Sequence, residues 1–138
     1  MNYMQPYRSK FEARVAKDLK KRGIRFEYEA YQFSYTEPLR RNRARCLDCG
    51  GNKLVRDGWY TPDFWLPDHG LFVETKGRFT AADRRKMLSV ISENTDEKFV
   101  MVFMRNNRIH KNSKTTYADW CEANGVTYSI GTVKEEWL

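Results

Sequence analysis

The chain has 138 residues, of which 41% are apolar and 14% aromatic, so it is long enough to bury the core of one compact domain spanning residues 1–138. Its 25 Lys and Arg residues exceed its 18 Asp and Glu residues and give a net charge of +7, which favours polyanionic partners such as nucleic acid. No apolar run reaches the roughly 18–20 residues of a membrane span, and the N-terminus has no hydrophobic signal segment. We therefore expect a cytoplasmic protein with no membrane partner.

Three apolar residues of the first segment recur at intervals of four: Phe11, Val15 and Leu19. This spacing predicts a helix over about residues 9–22. Ser9 and Glu12 fit a capping box at its start, and Gly23 suits its end.

The segment after this helix changes character twice. Residues 26–35 interleave aromatic and polar side chains, which predicts a strand with a bulge near Ala30. Residues 36–58 are rich in Gly, Arg and Lys. We expect a loop or a small basic insertion there, rather than a core element.

Residues 46–51 of this insertion, CLDCGG, are typical of a zinc-knuckle turn. A tetrahedral zinc site needs four ligands, whereas this chain offers one such pair, because Cys121 suits a buried helical position. The odd cysteine count argues against a disulfide framework. A structural Zn²⁺ shared by Cys46 and Cys49 of two chains in a symmetric dimer is the remaining possibility.

Two apolar segments, residues 59–66 and 71–76, flank a turn signal that ends in Gly70, so together they predict a β-hairpin. If this four-residue turn sets the register, Leu66 faces Leu71 across the hairpin. The register of every residue farther from the turn then follows.

Counting outward along the hairpin puts Asp63 opposite Glu74, whose side chain shares a face with Lys76. Two carboxylates about 4.5–5.5 Å apart at Cβ repel each other unless a cation lies between them. Carboxylate oxygens suit Mg²⁺ or Mn²⁺, which can activate a water and stabilise charge on a scissile phosphate. Lys76 could orient or deprotonate that water, or offset the developing charge. The pattern predicts a metal site at which an activated water attacks a phosphodiester. The alternative is that these charged residues form a solvated strand face.

The C-terminal half begins with a predicted helix and a buried strand. The helix covers residues 80–93 and has an apolar face of Met87, Leu88 and Ile91. Residues 99–104 form a continuous apolar run, which is typical of a strand buried on both sides.

A further helix is predicted over residues 116–124, with Tyr117, Trp120 and Cys121 facing inward, and residues 126–130 suit a short edge strand. The element order αβββαβα(β) predicts an α/β or α+β fold, in which helices flank a mixed central sheet.

Glu12 has two interpretations from the residues alone. As the partner of Ser9 it would have a local capping role, which is the simpler interpretation. Packing of the first helix on the sheet could instead bring its carboxylate to the metal site. Sequence spacing does not decide between them.

Basic residues occur in several groups, each of which could be a solvated face. Near a nuclease site, however, they are candidates for phosphate contacts whose affinity falls with salt. The candidates are Arg40, Arg41, Arg43, Arg45, Arg78, Arg84, Arg85, Lys86, Arg105 and Arg108.

These residues belong to a longer pattern that resembles the bacteriophage endonuclease I family, the junction-resolving enzymes of the PD…(D/E)xK nuclease superfamily. The resemblance covers most of the chain. It rests on residues 7–9, Glu12, residues 21–29, 60–64, 66–67, 72–77 and 83–86, Phe103, and residues 116–117, 121–122 and 136–137.

The resemblance implies a restriction-endonuclease-like fold with Glu12, Asp63, Glu74 and Lys76 as the active site. It further implies two divalent metal ions per site, held by the three acids, and it adds Arg8 to the candidate DNA contacts. The implied substrate is branched DNA, especially four-way junctions. The implied assembly is a domain-swapped homodimer, in which Glu12 of one chain joins the other three residues of its partner.

Two alternatives remain open at this point. One is a nicking or restriction-type endonuclease that acts on linear duplex DNA with the same fold. The other is a non-catalytic DNA-binding module that uses the cysteine pair and the arginines. The connection over residues 36–58 is also longer than the pattern requires, which leaves the exchange of elements open.

Overall fold

The structure, a computed structural model, describes residues 6–38 and 55–138. Its elements are α1 Lys10–Lys21, β1 Glu27–Tyr28, β2 Phe33–Pro38, β3 Val55–Tyr60, β4 Phe64–Leu66, β5 Leu71–Lys76, α2 Ala81–Glu93, β6 Lys98–Phe103, α3 Tyr117–Asn124, β7 Thr127–Ile130 and a final 3₁₀ turn, Glu135–Trp137. Several predicted contacts lie outside the described residues: Arg40, Arg41, Arg43, Arg45, and the zinc candidates Cys46 and Cys49.

Five strands form the central sheet, in the order β1-β4-β5-β6-β7. β1, β4 and β5 pair antiparallel, whereas β5, β6 and β7 pair parallel. The predicted α+β class, with a mixed sheet flanked by helices, is therefore confirmed. No helix in the described part of the chain has both the length and the apolar character needed to cross a bilayer.

Side chains of β5 and β6 alternate between the two faces of the sheet, as the pleat requires. On one face Val73 and Val102 pack with Leu19 of α1. On the other face Phe72 and Phe99 pack in a cluster that includes residues of α2, α3 and the β2–β3 hairpin. Both faces of β5 and β6 are thus buried, which confirms the predicted buried strand for residues 99–103, whereas Met104 follows the strand and is exposed.

The sequence prediction was wrong where it joined β3 and β4 into one strand over residues 59–66. β3 pairs with β2 in a separate two-stranded sheet, whereas β4 pairs with β1 and β5. The chain leaves the first ladder at Thr61 and Pro62, and proline cannot donate a ladder hydrogen bond. The break places Asp63 directly before β4.

Residues 26–35 are likewise two strands rather than one bulged strand. The break follows Glu29, which has a positive φ of 50°, and the Glu29 amide donates to the Asp63 carbonyl oxygen at 3.0 Å. Residues 36–38 and 55–58 belong to the paired strands β2 and β3, so the basic insertion is shorter than predicted.

Both C-terminal helices begin and end close to the predicted residues. On the predicted apolar face of α2, Met87 is buried and Ile91 packs against the core as predicted, whereas Leu88 is 37% exposed and Val90 is buried instead. In α3, Tyr117 and Cys121 are buried as predicted, and Trp120 packs against the same cluster while remaining partly exposed.

Candidate active site

The β4–β5 hairpin positions the acidic pair. Leu66 pairs with Leu71, as predicted, and Phe64 pairs with Val73. Asp63 directly precedes β4, one residue beyond the last pair, and its carboxylate is close enough to Glu74 to raise the pKa of that residue. Glu74 and Lys76 share the face of β5 that Asp63 borders.

The Asp63 carboxylate is buried and held by the facing strand. Its Oδ2 accepts hydrogen bonds from the Thr75 amide at 2.8 Å and from Thr75 Oγ1 at 2.7 Å. Burial raises the pKa of Asp63, the Thr75 hydrogen bonds oppose that rise, and the nearby charge of Glu12 adds to it. A cation would favour the charged form of this carboxylate.

Glu74 is 8% exposed, and its pKa is raised well above the ordinary value, first by burial and then by the charge of Asp63, while Lys76 opposes the rise. Glu74 Oε1 and Tyr60 Oη are both buried without a hydrogen-bond partner among the described residues, although the two groups are close enough to shift each other's pKa. A buried carboxylate oxygen without a partner is an acceptor that a cation or a water would satisfy.

The Lys76 ammonium lies between two acids, with Nζ 3.8 Å from Glu74 Oε2 and 3.4 Å from Asp83 Oδ1. Asp83 is in the first turn of α2, where it forms the capping box with Thr80. Burial alone would raise the pKa of Asp83, but the Thr80 hydrogen bonds and the Lys76 charge outweigh it, so the pKa is lowered. Asp83 therefore anchors Lys76, a role that its sequence position as a helix cap did not indicate.

Glu12 joins the same region from α1. Ser9 Oγ accepts from the Glu12 amide at 3.1 Å, as in the predicted cap. The reciprocal half of the capping box is not formed, because Glu12 Oε2 instead accepts from the Arg8 amide at 3.1 Å and from Tyr28 Oη at 2.6 Å. The Glu12 side chain thus lies on the Asp63 side of α1, and sequence reasoning missed its partner Tyr28.

These side chains surround a cavity of about 350 Å³, hereafter the acidic cavity. It is lined by Arg8, Glu12, Glu29, Trp59, Tyr60, Thr61, Asp63, Glu74, Thr75, Lys76 and Lys86. The structure therefore brings together all four predicted catalytic residues within one chain.

The neighbouring carboxylates of Asp63 and Glu74 offer the oxygen ligands that a hard divalent cation prefers. Glu74 Oε1, which has no hydrogen-bond partner among the described residues, is available as one of these ligands. Glu12 does not join them in a tight cluster. The described residues contain no group of three acids, histidines or cysteines close enough to hold an ion together.

The predicted DNA contacts separate into several places. Arg8 is exposed at the rim of the acidic cavity and pairs with Glu29 at 2.8 Å. Lys86 also lines that cavity, with its ammonium over the Tyr60 ring at 5.3 Å. Trp59, which the sequence predicted only as part of a strand, also lines the acidic cavity and is 63% exposed. A second cavity is lined by Arg78, Arg84 and Arg108, whereas Arg85 and Arg105 line neither.

Comparison with known proteins identifies the family to which the chain belongs. The sequence profile of the family described as phage endonuclease I matches residues 53–138, which include Asp63, Glu74 and Lys76. The chain is 32% identical to Endonuclease I of Escherichia phage T7 over 133 residues, covering 96% of this chain and 78% of that protein. It is 33% identical to Endodeoxyribonuclease 1 of Enterobacteria phage T3 over 124 residues, covering 89% and 70%. The chain therefore belongs to the phage endonuclease I family.

Proposed function

We propose that this endonuclease is a metal-dependent enzyme that resolves four-way junctions and other branched DNA by hydrolysing phosphodiester bonds. The observation that supports this most strongly is the buried Asp63–Glu74 pair beside the Lys76 ammonium, in a cavity open to solvent. The names of the phage T7 and phage T3 relatives, an endonuclease and an endodeoxyribonuclease, agree with DNA as the substrate.

Each site residue has a chemical role in this proposal. Asp63 and Glu74 would hold Mg²⁺ or Mn²⁺, and a bound ion of this kind would activate a water and stabilise charge on the scissile phosphate. The Thr75 hydrogen bonds fix the Asp63 carboxylate. Lys76, held between Glu74 and Asp83, places a positive charge where the phosphate becomes more negative. A second ion in the same site, as the family resemblance implies, would add Glu12 to the ligands.

We further propose that the enzyme acts as a homodimer in the host cytoplasm, because a junction has two strands to cut and a twofold axis relates two sites. Within one chain, Glu12 lines the same cavity as Asp63 and Glu74. A domain-swapped dimer would build the same cavity with Glu12 contributed by the partner. A shared Zn²⁺ at Cys46 and Cys49 would lie in the connection between the exchanged parts.

Mixing two inactive variants separates the swapped from the unswapped arrangement. Glu12→Gln and Asp63→Asn chains should each be inactive alone. After unfolding and refolding together, a swapped dimer regains one intact site, because each site combines Glu12 of one chain with Asp63 of the other. Nicking of one junction strand is therefore expected. An unswapped dimer has no intact site in any combination, so the absence of nicking would contradict the exchange.

The activity itself is tested with a fixed four-way junction and a linear duplex of the same sequence, each incubated with Mg²⁺, Ca²⁺ or EDTA. We expect cleavage of the junction in Mg²⁺ and binding without cleavage in Ca²⁺. Equal cleavage of the duplex would favour the restriction-type alternative. Undiminished cleavage in EDTA would contradict metal dependence, and binding without cleavage under every condition would favour a non-catalytic module.

A further inference from the structure

A second cavity, of about 640 Å³, includes Arg78, two residues after Lys76 of the acidic cavity, and we call it the basic cavity. Its walls are the segment that follows β5, the first turn of α2 and the loop over residues 108–111. It is lined by Arg78, Phe79, Thr80, Ala81, Arg84, Arg108, Ile109, His110, Lys111 and Tyr117.

Positive charge is the main property of the basic cavity. It is lined by the cations Arg78, Arg84, Arg108 and Lys111, and by no acidic side chain. None of the four pairs with an acid anywhere in the described residues. Unpaired cations that face one cavity repel each other, and a bound anion relieves this repulsion.

The sheet topology explains why these distant residues meet. β5 and β6 are parallel, and Lys76 pairs with Phe103, so both strands end at the same edge of the sheet. The chain continues from β5 into Arg78 and from β6 towards Arg108. Two basic groups that are separate in the sequence are thereby brought to one edge, next to Lys76.

Two buried, hydrogen-bonded residues form the base of the cavity. Phe79 and Tyr117 are both buried, and the Phe79 amide donates to Tyr117 Oη at 3.2 Å. Arg84 Nη1 donates to the Phe79 carbonyl oxygen at 2.8 Å, which fixes its guanidinium and leaves its other N–H groups for a ligand. In the capping box of α2 the Thr80 amide donates to Asp83 Oδ2 and the Asp83 amide donates to Thr80 Oγ1, so these two amides are not free for a ligand.

We propose that the basic cavity binds backbone phosphates of the DNA strand that enters the acidic cavity, an inference that rests on the proposed nuclease function. Arg78 follows Lys76 by two residues, so their Cα atoms are at most about 7 Å apart. Phosphates of one strand follow each other at about 3.4 Å of helix rise, so a strand with its scissile phosphate at Lys76 brings neighbouring phosphates to Arg78. Such contacts position the strand without reading its sequence.

Salt dependence of junction binding tests this assignment. Arg78→Ala and Arg108→Ala are compared with Lys98→Ala, which removes one positive charge at the opposite end of β6. Binding is measured in Ca²⁺ at several salt concentrations. We expect each cavity variant to weaken binding about tenfold at low salt. The slope of log K against log salt is negative, and each variant should make it less steep by about 0.9. Lys98→Ala should leave both quantities unchanged.

A titration with inorganic phosphate adds a readout that needs no DNA. In wild-type protein we expect the NMR signals of His110 and of the Arg108 side chain to shift on addition of phosphate, and Arg78→Ala should suppress this shift. Cavity variants that bind the junction with the slope of Lys98→Ala would overturn the proposal, even if phosphate shifts His110, because the cavity would then bind only free anions. Failure of the nuclease function is a different result, since wild-type protein would then leave the junction uncut in Mg²⁺, whatever the salt dependence of the variants.

Discussion

Asp63→Asn should lower the rate of junction cleavage in Mg²⁺ by about 10³-fold, because it removes one of the two adjacent charges that would hold the proposed cation. Junction binding in Ca²⁺ should persist, since the proposed phosphate contacts are made by other residues. The cleavage rate is measured under single-turnover conditions, which separate chemistry from binding and release.

The variant should fold, because an amide oxygen at the position of Asp63 Oδ2 can still accept from both the Thr75 amide and Thr75 Oγ1. Burial already raises the pKa of Asp63, so a neutral side chain at this position removes an unfavourable buried charge. Asp68→Asn, an exposed substitution in the hairpin turn, is the matched control and should cleave like wild type. Parallel loss of binding and cleavage, or no loss of either, would contradict the assigned role.

The central hairpin could be predicted because its signals are local. A turn signal set the register, and strand alternation then placed Asp63, Glu74 and Lys76 together. The helix ends were similarly predictable, since Ser9, Thr80 and Gly125 act through neighbouring backbone groups. These features depend on interactions within a few residues, which a single sequence contains.

Other features depend on packing between distant segments and could not be predicted in this way. A single strand was predicted over residues 59–66 because no local pattern shows that β3 pairs with β2 while β4 pairs with β5. The proximity of Asp83 to Lys76 requires the return of α2 over the end of β5. Glu12 faces the acidic cavity because Tyr28, on another element, holds its carboxylate.

Glu74→Gln should also lower cleavage by about 10³-fold, yet it should make the metal-free protein more stable at neutral pH. The pKa of Glu74 is raised well above its ordinary value of 4.5, mainly by burial, so the folded protein binds this proton more tightly than the unfolded chain does. The stability that comes from the neutral form is complete below the unfolded pKa and is lost as pH rises through the folded pKa. A glutamine keeps the neutral form at every pH, and its amide can donate to the unpartnered Tyr60 Oη.

Thermal unfolding in EDTA measures the gain in stability of Glu74→Gln over wild type. We expect the melting temperature of Glu74→Gln to exceed that of wild type by a few degrees at pH 8, since about 1 kcal/mol shifts a domain of this size by roughly 4 °C. The difference should vanish near pH 4, where the wild-type carboxyl group is also protonated. Glu97→Gln, at an exposed position, should melt like wild type at both values.

Addition of Mg²⁺ links this stability to the proposed chemistry. A ligand that binds only the folded state raises the melting temperature, so Mg²⁺ should stabilise wild type at pH 8 and leave Glu74→Gln nearly unchanged. In that case the two adjacent buried carboxylates destabilise the metal-free protein, and binding of a cation relieves this destabilisation. If Glu74→Gln melts below wild type in EDTA, or if Mg²⁺ stabilises both proteins equally, Glu74 is a structural acid and the ion binds elsewhere.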